Sequence, residues 1–248
     1  IRAVIREIKP DLIVNPAAYT AVDKAESEPE LAMAVNGIAP GIMAEEARKL
    51  GATMIHYSTD YVFDGTKTSP YTEEDIPNPI NVYGKTKLAG EQAIQAAGIP
   101  HLILRTSWVY GARGKNFLLT ILRLAKERDE LKIVDDQIGA PTWSRMIAEA
   151  TAQILAQSVS TMPHHPLPIT EVSGVYNLTA AGRTSWCEFT RAILENAQAG
   201  TRVSPIPTAD YPLPAPRPLF SLLASDKLSK TFGMKLPPWE DSLALCMA

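Results

Sequence analysis

Tyr83 and Lys87 are the residues of this sequence whose types and spacing most directly suggest chemistry. Residues 88–94 follow them with a helical pattern, so a spacing of four places both side chains on one helix face. A neighbouring ammonium favours the phenolate, so the pair can exchange a proton with an alcohol or a developing alkoxide. This is ketone–alcohol chemistry. Amphipathic helices also produce the spacing by chance, and a half-buried tyrosine beside a solvated lysine is the alternative interpretation.

A second group of polar side chains precedes this helix and strengthens the catalytic interpretation. Residues 53–57 form a β-branched, apolar run that predicts a strand, and Ser58 and Thr59 follow it directly. Side chains at the carboxyl end of a strand line the ligand crevice of an α/β fold. We therefore expect both hydroxyls to hydrogen-bond the carbonyl oxygen that Tyr83 would protonate. The polar segment 60–79 joins the two groups and is expected to border the substrate.

Alternating helix and strand patterns supply the elements that position these residues. The predicted helices are residues 1–8, 29–50 with breaks near Gly37 and Pro40, 81–97 with Asn81 as cap, 116–128, 143–157 and 185–197. The predicted strands are residues 11–15, 53–57, 101–105, 132–134 and 175–178. The proline-rich span 205–218 has no helical period.

Several motifs, in order, resemble the extended short-chain dehydrogenase/reductase family and, within it, the dTDP-4-dehydrorhamnose reductases. The motifs cover most of the chain and are NPAAYTAVDKAE (15–26), STDYVF (58–63), NVYGKTKLAGE (81–91), RTSWVY (105–110) and DQIGAPT (136–142). The resemblance implies an α/β fold, a Rossmann-like doubly wound parallel sheet with a smaller C-terminal substrate-binding lobe. We expect the NAD(P)-binding domain to span residues 1–157 and the lobe to span mainly residues 158–248.

The resemblance also implies an activity, the NAD(P)H-dependent reduction of the 4-keto group of dTDP-6-deoxy-L-lyxo-4-hexulose to dTDP-L-rhamnose. The catalytic residues would be Tyr83, Lys87 and Thr59. Tyr83 would give a proton to the carbonyl oxygen, Thr59 would hydrogen-bond that oxygen, and Lys87 would lower the tyrosine pKa and hold the nicotinamide ribose. NADPH or NADH is the expected cofactor, with Mg²⁺ as a candidate addition. The dTDP-4-keto-6-deoxy sugar is the expected partner, and a homodimer is a family-level expectation.

The remaining site assignments also follow from the resemblance. The cofactor-binding residues would be Ala17, Ala18, Tyr19, Thr20, Tyr57, Tyr83 and Lys87. The substrate-binding residues would be Thr59, Asp60, Trp108 and Arg217. An indole can stack and hydrogen-bond, and a guanidinium can bind a diphosphate through paired hydrogen bonds. Ordinary packing is the alternative for Trp108, and plain solvation is the alternative for Arg217.

Two other functions are also compatible with the sequence. The first is another nucleotide-sugar epimerase or dehydratase of the same superfamily. A dehydratase would place a pair of carboxylates near Thr59, where only Asp60 is available. The second is a non-catalytic regulatory subunit resembling the beta subunit of methionine adenosyltransferase. Such a subunit need not keep Tyr83 and Lys87, so their presence argues against it.

The family binds the dinucleotide through a Gly-rich turn at a helix N-terminus. This sequence has no such motif near its start. The resemblance begins at the helix before the fourth strand of the family's sheet, so a βαβ unit of roughly 30 residues is missing. Residues 12–14 are then expected to form an apolar strand at an uncovered sheet edge. We therefore expect the sequence to be a fragment, and expect this chain alone to bind the cofactor weakly.

Composition limits the remaining function classes. A hydrophobic fraction of 46% and a charged fraction of 21% are typical of a globular protein, and a net charge of -3 without basic clusters argues against nucleic acid. No apolar run reaches the ~18 residues of a membrane helix, which predicts a cytoplasmic protein with no membrane partner. Cys187 and Cys246 are expected to be reduced. No metal site is expected, and His164 and His165 are assigned to a solvated loop.

Overall fold

The computed structural model describes residues 1–159 and 168–248, so His164 and His165 lie outside the described residues. The helices are α1 Arg2–Ile8, α2 Val22–Ala25, α3 Pro29–Met33, α4 Ala39–Leu50, α5 Val82–Ala96, α6 Phe117–Glu127, α7 Ser144–Val159, α8 Trp186–Asn196, α9 Asp226–Phe232 and α10 Trp239–Met247. The strands are β1 Leu12–Asn15, β2 Thr53–Thr59, β3 His101–Thr106, β4 Val109–Tyr110, β5 Glu130–Val134, β6 Ile138–Gly139, β7 Thr142–Trp143, β8 Gly174–Asn177, β9 Thr184–Ser185 and β10 Arg202–Ile206. None of the helices within these two ranges is long and apolar enough to cross a membrane.

A four-stranded parallel sheet organises the molecule, with the strands in the order β1-β2-β3-β8. Each neighbouring pair runs in the same direction, so all four carboxyl ends lie at one edge of the sheet. Asn15, Thr59, Thr106 and Asn177 end these strands and mark that edge. The predicted α/β class with a parallel sheet is confirmed.

Helices cover both faces of this sheet. Ile55, Leu102 and Leu104 pack in one cluster with residues of α7 and α9. Met54 and Ile103 point to the other face, where they pack with residues of α4 and α5. All six residues of β3 are buried, as expected for a strand covered on two sides. This arrangement is doubly wound, and it holds α5 against the central strands.

Strand β1 lies at the edge of the sheet. Among the described residues it pairs only with β2, and Val14 is 41% exposed. The edge position agrees with the prediction for residues 12–14.

A second core lies beside the main sheet. Strands β5 and β10 pair in parallel, and helices α6, α8 and α10 pack around Phe189, Ile193 and Leu243. The sequence analysis missed β10 because Pro205 lies within it, and proline is tolerated in a strand that lies at a sheet edge. Strand β8 belongs to the main sheet although it follows residue 157, whereas β5 precedes residue 157 and pairs with β10. The domain boundary at residue 157 stays a prediction.

The segment between residues 29 and 50 is helical throughout, which differs from the predicted breaks near Gly37 and Pro40. A π-helical segment, Ala34–Ile38, joins α3 to α4, and Pro40 lies in the first turn of α4, where proline needs no hydrogen-bond partner. Gly51 ends α4 in the left-handed conformation, at φ 69°, as a C-terminal glycine commonly does.

Candidate active site

The carboxyl edge of the main sheet opens into a cleft of about 760 Å³. The turn after β1, the end of β2, the segment after β3 and the start of α5 all contribute to its lining. Neighbouring strands are spaced by ~4.8 Å. The cleft therefore runs across the sheet from the β1 turn, past Ser58 and Thr59, to Trp108. Tyr83 and Lys87 line it from α5, so the two predicted catalytic groups share one space.

The first turn of α5 places Tyr83 in the cleft. Asn81 caps the helix as predicted, because its side-chain oxygen accepts the Gly84 N–H at 2.8 Å. Gly84 lies directly against Tyr61, and an added Cβ there would come within 2.1 Å of the Tyr61 carbonyl oxygen. A glycine at this position lets the helix approach the turn that follows Thr59 closely enough for Tyr83 to enter the cleft.

The pKa of Tyr83 is raised to about 12, and the expected lowering by Lys87 is not found in this structure. Burial is the main cause, the Thr59 hydroxyl opposes it, and the nearby Asp60 carboxylate adds to it. The Lys87 ammonium is directed elsewhere, since it donates to the Tyr57 carbonyl oxygen at 2.6 Å. Burial also lowers the pKa of Lys87 itself to about 8. Tyr83 therefore keeps its proton at neutral pH, as a proton donor to a ketone must.

Two residues that the sequence analysis did not assign connect Lys87 to the β1 turn. His56 Nε2 lies 3.3 Å from Lys87 Nζ, and His56 Nδ1 lies 3.0 Å from the side-chain amide of Asn15. Asn15 accepts the Ala17 N–H at 3.2 Å. Burial and then the Lys87 charge hold the pKa of His56 well below its usual value, so the ring is neutral. The sequence feature that could have identified these two residues is that each is a polar residue in an otherwise apolar strand.

Asn36 fixes the backbone of the β1 turn from the π-helical segment. Its side chain accepts the Tyr19 N–H at 2.7 Å and donates to the Tyr19 carbonyl oxygen at 3.0 Å. It also donates to Thr86 on α5 at 3.2 Å. Tyr19 itself directs its hydroxyl away to Glu28, at 2.6 Å. The turn and the catalytic helix are thus held together by a side chain that the sequence analysis did not place in the site.

Some of the other predicted cofactor-binding residues line the cleft, and one lies behind its lining. Ala18, Thr20 and Tyr57 line the cleft. The Tyr57 hydroxyl is paired with that of Thr151 at 2.8 Å. Ala17 acts through its backbone, and its side chain lies outside the lining. The roles of these residues toward a cofactor stay predictions.

Asp60 is a carboxyl group that lines the cleft and acts on Tyr83. Its side chain is 2% exposed, and it accepts the Thr59 hydroxyl at 3.0 Å. Its second oxygen has no hydrogen-bond partner in the part of the chain that the structure describes. Burial raises the pKa of Asp60 to about 7, although the nearby Ser221 hydroxyl and then the Thr59 hydroxyl work in the opposite direction. Asp60 is therefore able to change its charge near neutral pH.

We expect Asp60→Asn to stabilise the fold by an amount that grows between pH 4 and pH 7. In this window an unfolded aspartate has lost its proton while the buried one keeps it, so wild-type stability falls as the pH rises. Asparagine does not titrate, and the gain should reach roughly 3–4 kcal/mol near pH 7, since the pKa is raised from 3.8 to about 7 and one pKa unit corresponds to about 1.4 kcal/mol. Urea unfolding at three pH values measures it. Asp75→Asn is the control, because Lys67 lowers the pKa of that carboxyl. A difference that stays flat with pH would contradict the expectation.

An aromatic wall, formed by Trp108, Phe117 and Trp186, closes the cleft beyond β3. The rings of Trp108 and Trp186 are stacked 3.6 Å apart at 6°, and Phe117 lies 4.4 Å from Trp186. Trp108 has φ 46°, a left-handed conformation that is unusual for a bulky residue and often marks a functional position. An added Cβ on Gly139 would come within 2.5 Å of the Trp108 ring, so only glycine leaves room for it. The sequence analysis found Trp108 alone.

Arg217 lies outside the cleft lining. It donates to Asp23 at 2.9 Å and to the Ala215 carbonyl oxygen at 2.8 Å, and Asp23 also accepts the Ala215 N–H. These bonds tie the C-terminal segment to α2. The assignment of Arg217 to a diphosphate stays a prediction.

Metal ligands are not grouped in the described ranges. No three His, Cys, Asp or Glu side chains come together there as a metal site would require. Cys187 and Cys246 are both free thiols.

Comparisons with known proteins identify relatives along the whole chain. A family model described as the RmlD substrate binding domain matches residues 1–248. The dTDP-4-dehydrorhamnose reductase of Burkholderia thailandensis is 49% identical over 252 residues, which cover 98% of this chain and 83% of that protein. The crystal structure of a dTDP-4-dehydrorhamnose reductase from Clostridium acetobutylicum superposes with a TM-score of 0.91 at 37% identity, covering 99% of this chain and 83% of that one. The dTDP-4-dehydrorhamnose reductase of Bacillus anthracis, in complex with NADP, gives a TM-score of 0.90 at 36% identity and the same coverage.

Proposed function

Because the chain belongs to the RmlD substrate-binding-domain family of dTDP-4-dehydrorhamnose reductases, we propose that it reduces the 4-keto group of dTDP-6-deoxy-L-lyxo-4-hexulose to give dTDP-L-rhamnose. The observation that carries the proposal is the convergence of Tyr83, Thr59 and Lys87 on one cleft, which also receives the β1 turn. NADPH is the proposed cofactor, supported by the NADP complex of the Bacillus anthracis relative, and NADH is the alternative.

The β1 end of the cleft fits a nicotinamide cofactor. Pro16, Ala18 and Thr20 line it there, and their small side chains let a flat ring approach the backbone. Lys87 lies beside this turn with its ammonium held by the Tyr57 carbonyl oxygen, where it can also donate to a ribose hydroxyl. When bound, the nicotinamide supplies the hydride that the carbonyl carbon accepts.

The protein's own residues manage the carbonyl oxygen and its proton. Tyr83 donates its phenolic proton to that oxygen as the ketone becomes an alcohol, and its raised pKa keeps the proton in place until then. Thr59 lies beside Tyr83 and hydrogen-bonds the same oxygen. Ser58 offers a second hydroxyl, which is buried and has no partner among the described residues. The Thr59 hydroxyl, which works to lower the Tyr83 pKa, stabilises the phenolate that remains after the transfer.

The alternatives are less well supported by the same geometry. A dehydratase needs a second carboxylate beside Asp60, and that position is Tyr61, whose ring packs edge-on against Tyr83 at 5.7 Å. A regulatory subunit has no need for a proton donor, a hydroxyl and a lysine in one cleft. We therefore assign the site to reduction.

The decisive experiment is NADPH oxidation by the full-length protein, followed at 340 nm, with the dTDP-4-keto sugar as substrate and product identification by NMR. We expect stoichiometric formation of dTDP-L-rhamnose. A parallel assay with NADH measures the cofactor preference. An assay with EDTA tests the Mg²⁺ requirement that the sequence analysis named as a candidate. Tight NADPH binding without oxidation would contradict the proposed reductase function and would favour a regulatory subunit.

The homodimer and the cytoplasmic location expected from the sequence stay predictions. Sedimentation velocity at micromolar concentration tests the first, and fractionation of cells that produce the protein tests the second.

A further inference from the structure

A buried row of three polar side chains, formed by Asn15, His56 and Lys87, runs from the β1 turn to the cleft. Lys87 Nζ lies 3.3 Å from His56 Nε2, and His56 Nδ1 lies 3.0 Å from the side-chain nitrogen of Asn15. We infer that Asn15 and His56 are positioning residues that hold an imidazole N–H toward Lys87, so that this lysine releases its proton more readily than it would opposite an acceptor. The inference rests on the proposed function where it gives Lys87 a part in the reduction.

The hydrogen-bond direction of this row is set in the β1 turn. The side-chain oxygen of Asn15 accepts the Ala17 N–H at 3.2 Å, so the amide nitrogen is the atom that faces His56. The opposite amide orientation would place its NH₂ group against the Ala17 N–H, with two donors facing each other. Asn15 is buried, so a polar clash of this kind would not be relieved by solvent. Asn15 therefore offers a donor to the imidazole.

The tautomer of His56 follows from this donor. An uncharged imidazole carries one proton, on either Nδ1 or Nε2, and the nitrogen without the proton is an acceptor. Because Nδ1 accepts from Asn15, the proton lies on Nε2, which faces Lys87. The ring stays uncharged, since burial and then the Lys87 charge hold the pKa of His56 well below its usual value. His56 thus presents an N–H, and not a lone pair, to the lysine nitrogen.

An N–H opposite Lys87 distinguishes between the two protonation states of the lysine. An ammonium has three donors and no acceptor, so it cannot accept the Nε2–H of His56, whereas the lone pair of an uncharged amine can. The Tyr57 carbonyl oxygen, 2.6 Å from Nζ, accepts a hydrogen bond from either state. Burial acts in the same direction as the imidazole N–H, and the pKa of Lys87 is lowered to about 8. Lys87 therefore exchanges its proton closer to neutral pH than an ordinary lysine does.

The other titratable groups around Lys87 leave this effect in place. Those that share its helix or its cleft are Tyr83 and Glu91 of α5, His56 and Tyr57 of β2, Asp60 after β2, and Lys115 before α6. Glu91 raises the Lys87 pKa, but Arg105 of β3 already binds that carboxylate through two hydrogen bonds. Strand β1 contributes the uncharged amide of Asn15. With these groups present, the Lys87 pKa remains below its usual value.

The reduction provides a role for a lysine of this kind. Tyr83 gives its phenolic proton to the carbonyl oxygen and must regain a proton before the next turnover. A lysine that holds its proton weakly can return one to the phenolate, and the His56 N–H stabilises the resulting amine until it takes a proton from water. A lysine opposite an acceptor would keep its proton. Asn15 and His56 act on the reaction through Lys87, since neither lines the cleft.

Nitrogen-15 NMR of the histidine rings, on the full-length protein without cofactor or substrate, tests the tautomer. The wild-type His56 ring, assigned through its backbone resonances, should carry its proton on Nε2. In Asn15→Asp, the carboxylate can accept both the Ala17 N–H and an Nδ1–H, so the ring proton should move to Nδ1. A wild-type ring with its proton on Nδ1 would overturn the inference, and this result depends on no variant.

Carbon-13 NMR of the lysine side chains over a pH series tests the effect on Lys87. The wild-type Lys87 resonance should titrate with a midpoint near pH 8, in line with its lowered pKa. His56→Gln places an amide oxygen within reach of Nζ as an acceptor for the ammonium. The midpoint should therefore rise by about one pH unit, the size of one hydrogen bond.

His101→Gln is the matched control for this titration. His101 is a buried histidine at the start of β3, and its ring Nδ1 lies 2.8 Å from the Ile99 carbonyl oxygen. This variant should leave the Lys87 midpoint unchanged. Equal Lys87 midpoints in the wild type and in His56→Gln would overturn the inference, as would a shift of the same size in His101→Gln.

The pH profile of NADPH oxidation tests whether the pair acts on the reaction. The alkaline limb of kcat should move upward in His56→Gln by as much as the Lys87 midpoint, whereas a purely structural defect lowers kcat at every pH alike. A limb that stays in place while the midpoint moves would overturn the part assigned to Lys87 in the reduction.

The NMR measurements separate the inference from the proposed function because they use neither NADPH nor turnover. A protein with the expected tautomer and midpoint that oxidises no NADPH retains the assignment of Asn15 and His56 but is not a reductase. A protein that forms dTDP-L-rhamnose with the ring proton on Nδ1 is the proposed reductase without the inferred positioning pair.

Discussion

A Tyr83→Phe variant should lose about 10³-fold in kcat, with little change in the KM for the sugar nucleotide. Removal of a positioned proton donor typically costs 10²- to 10⁴-fold. The ring of phenylalanine still fills the space beside Tyr61, so binding should survive while the proton transfer does not. An effect confined to kcat marks an interaction made in the transition state. Steady-state NADPH oxidation over a range of substrate concentrations measures both constants.

Tyr176→Phe is a matched control for this experiment. Tyr176 is a buried tyrosine of β8, and its hydroxyl donates to the Val172 carbonyl oxygen at 2.8 Å, away from the cleft. Its loss should reduce stability by about 1 kcal/mol and leave kcat within about twofold. Equal activity in Tyr83→Phe and Tyr176→Phe would show that Tyr83 is not the proton donor.

The sequence predicted those parts of the site that depend on local pattern. Tyr83 and Lys87 fall on one helix face because the spacing of four is a property of the helix itself. The cap at Asn81 and the hydroxyls at the end of β2 follow from nearest neighbours along the chain. The parallel sheet then brings the ends of β1, β2 and β3 to one edge, where Thr59, Tyr83, Lys87 and Trp108 line one cleft.

The parts that escaped prediction depend on contacts between distant segments. Trp186 reaches the cleft only because α8 packs beside the segment that follows β3. Arg217 pairs with Asp23, which is 194 residues away in the sequence. Lys87 is another example, because the expected lowering of the Tyr83 pKa by its ammonium is not found. Its burial and its bond to the Tyr57 carbonyl oxygen are set by how α5 packs on β2, and no spacing along the helix encodes that.

The same packing depends on a buried ion pair between α5 and β3. Arg105 donates two hydrogen bonds to Glu91, at 3.0 Å and 2.7 Å, and both side chains are almost completely buried. We expect Arg105→Met to lower the free energy of unfolding by about 3–5 kcal/mol, because it leaves the Glu91 charge buried without a partner. The melting temperature should fall by roughly 10 °C, since 1 kcal/mol shifts a domain of this size by about 2–4 °C. Thermal and urea unfolding measure the change.

The double variant Glu91→Leu/Arg105→Met distinguishes this explanation from simple loss of packing. With both charges removed, no ion is left unpaired, so the double variant should be more stable than Arg105→Met alone by roughly 2 kcal/mol. Arg145→Met is the control, because Arg145 and Glu149 form an exposed pair on α7, and such pairs contribute about 0–1 kcal/mol. If the double variant were no more stable than the single one, packing rather than the unpaired charge would account for the loss, and Arg105 would hold α5 on β3 mainly through its contacts with neighbours such as the Phe63 ring.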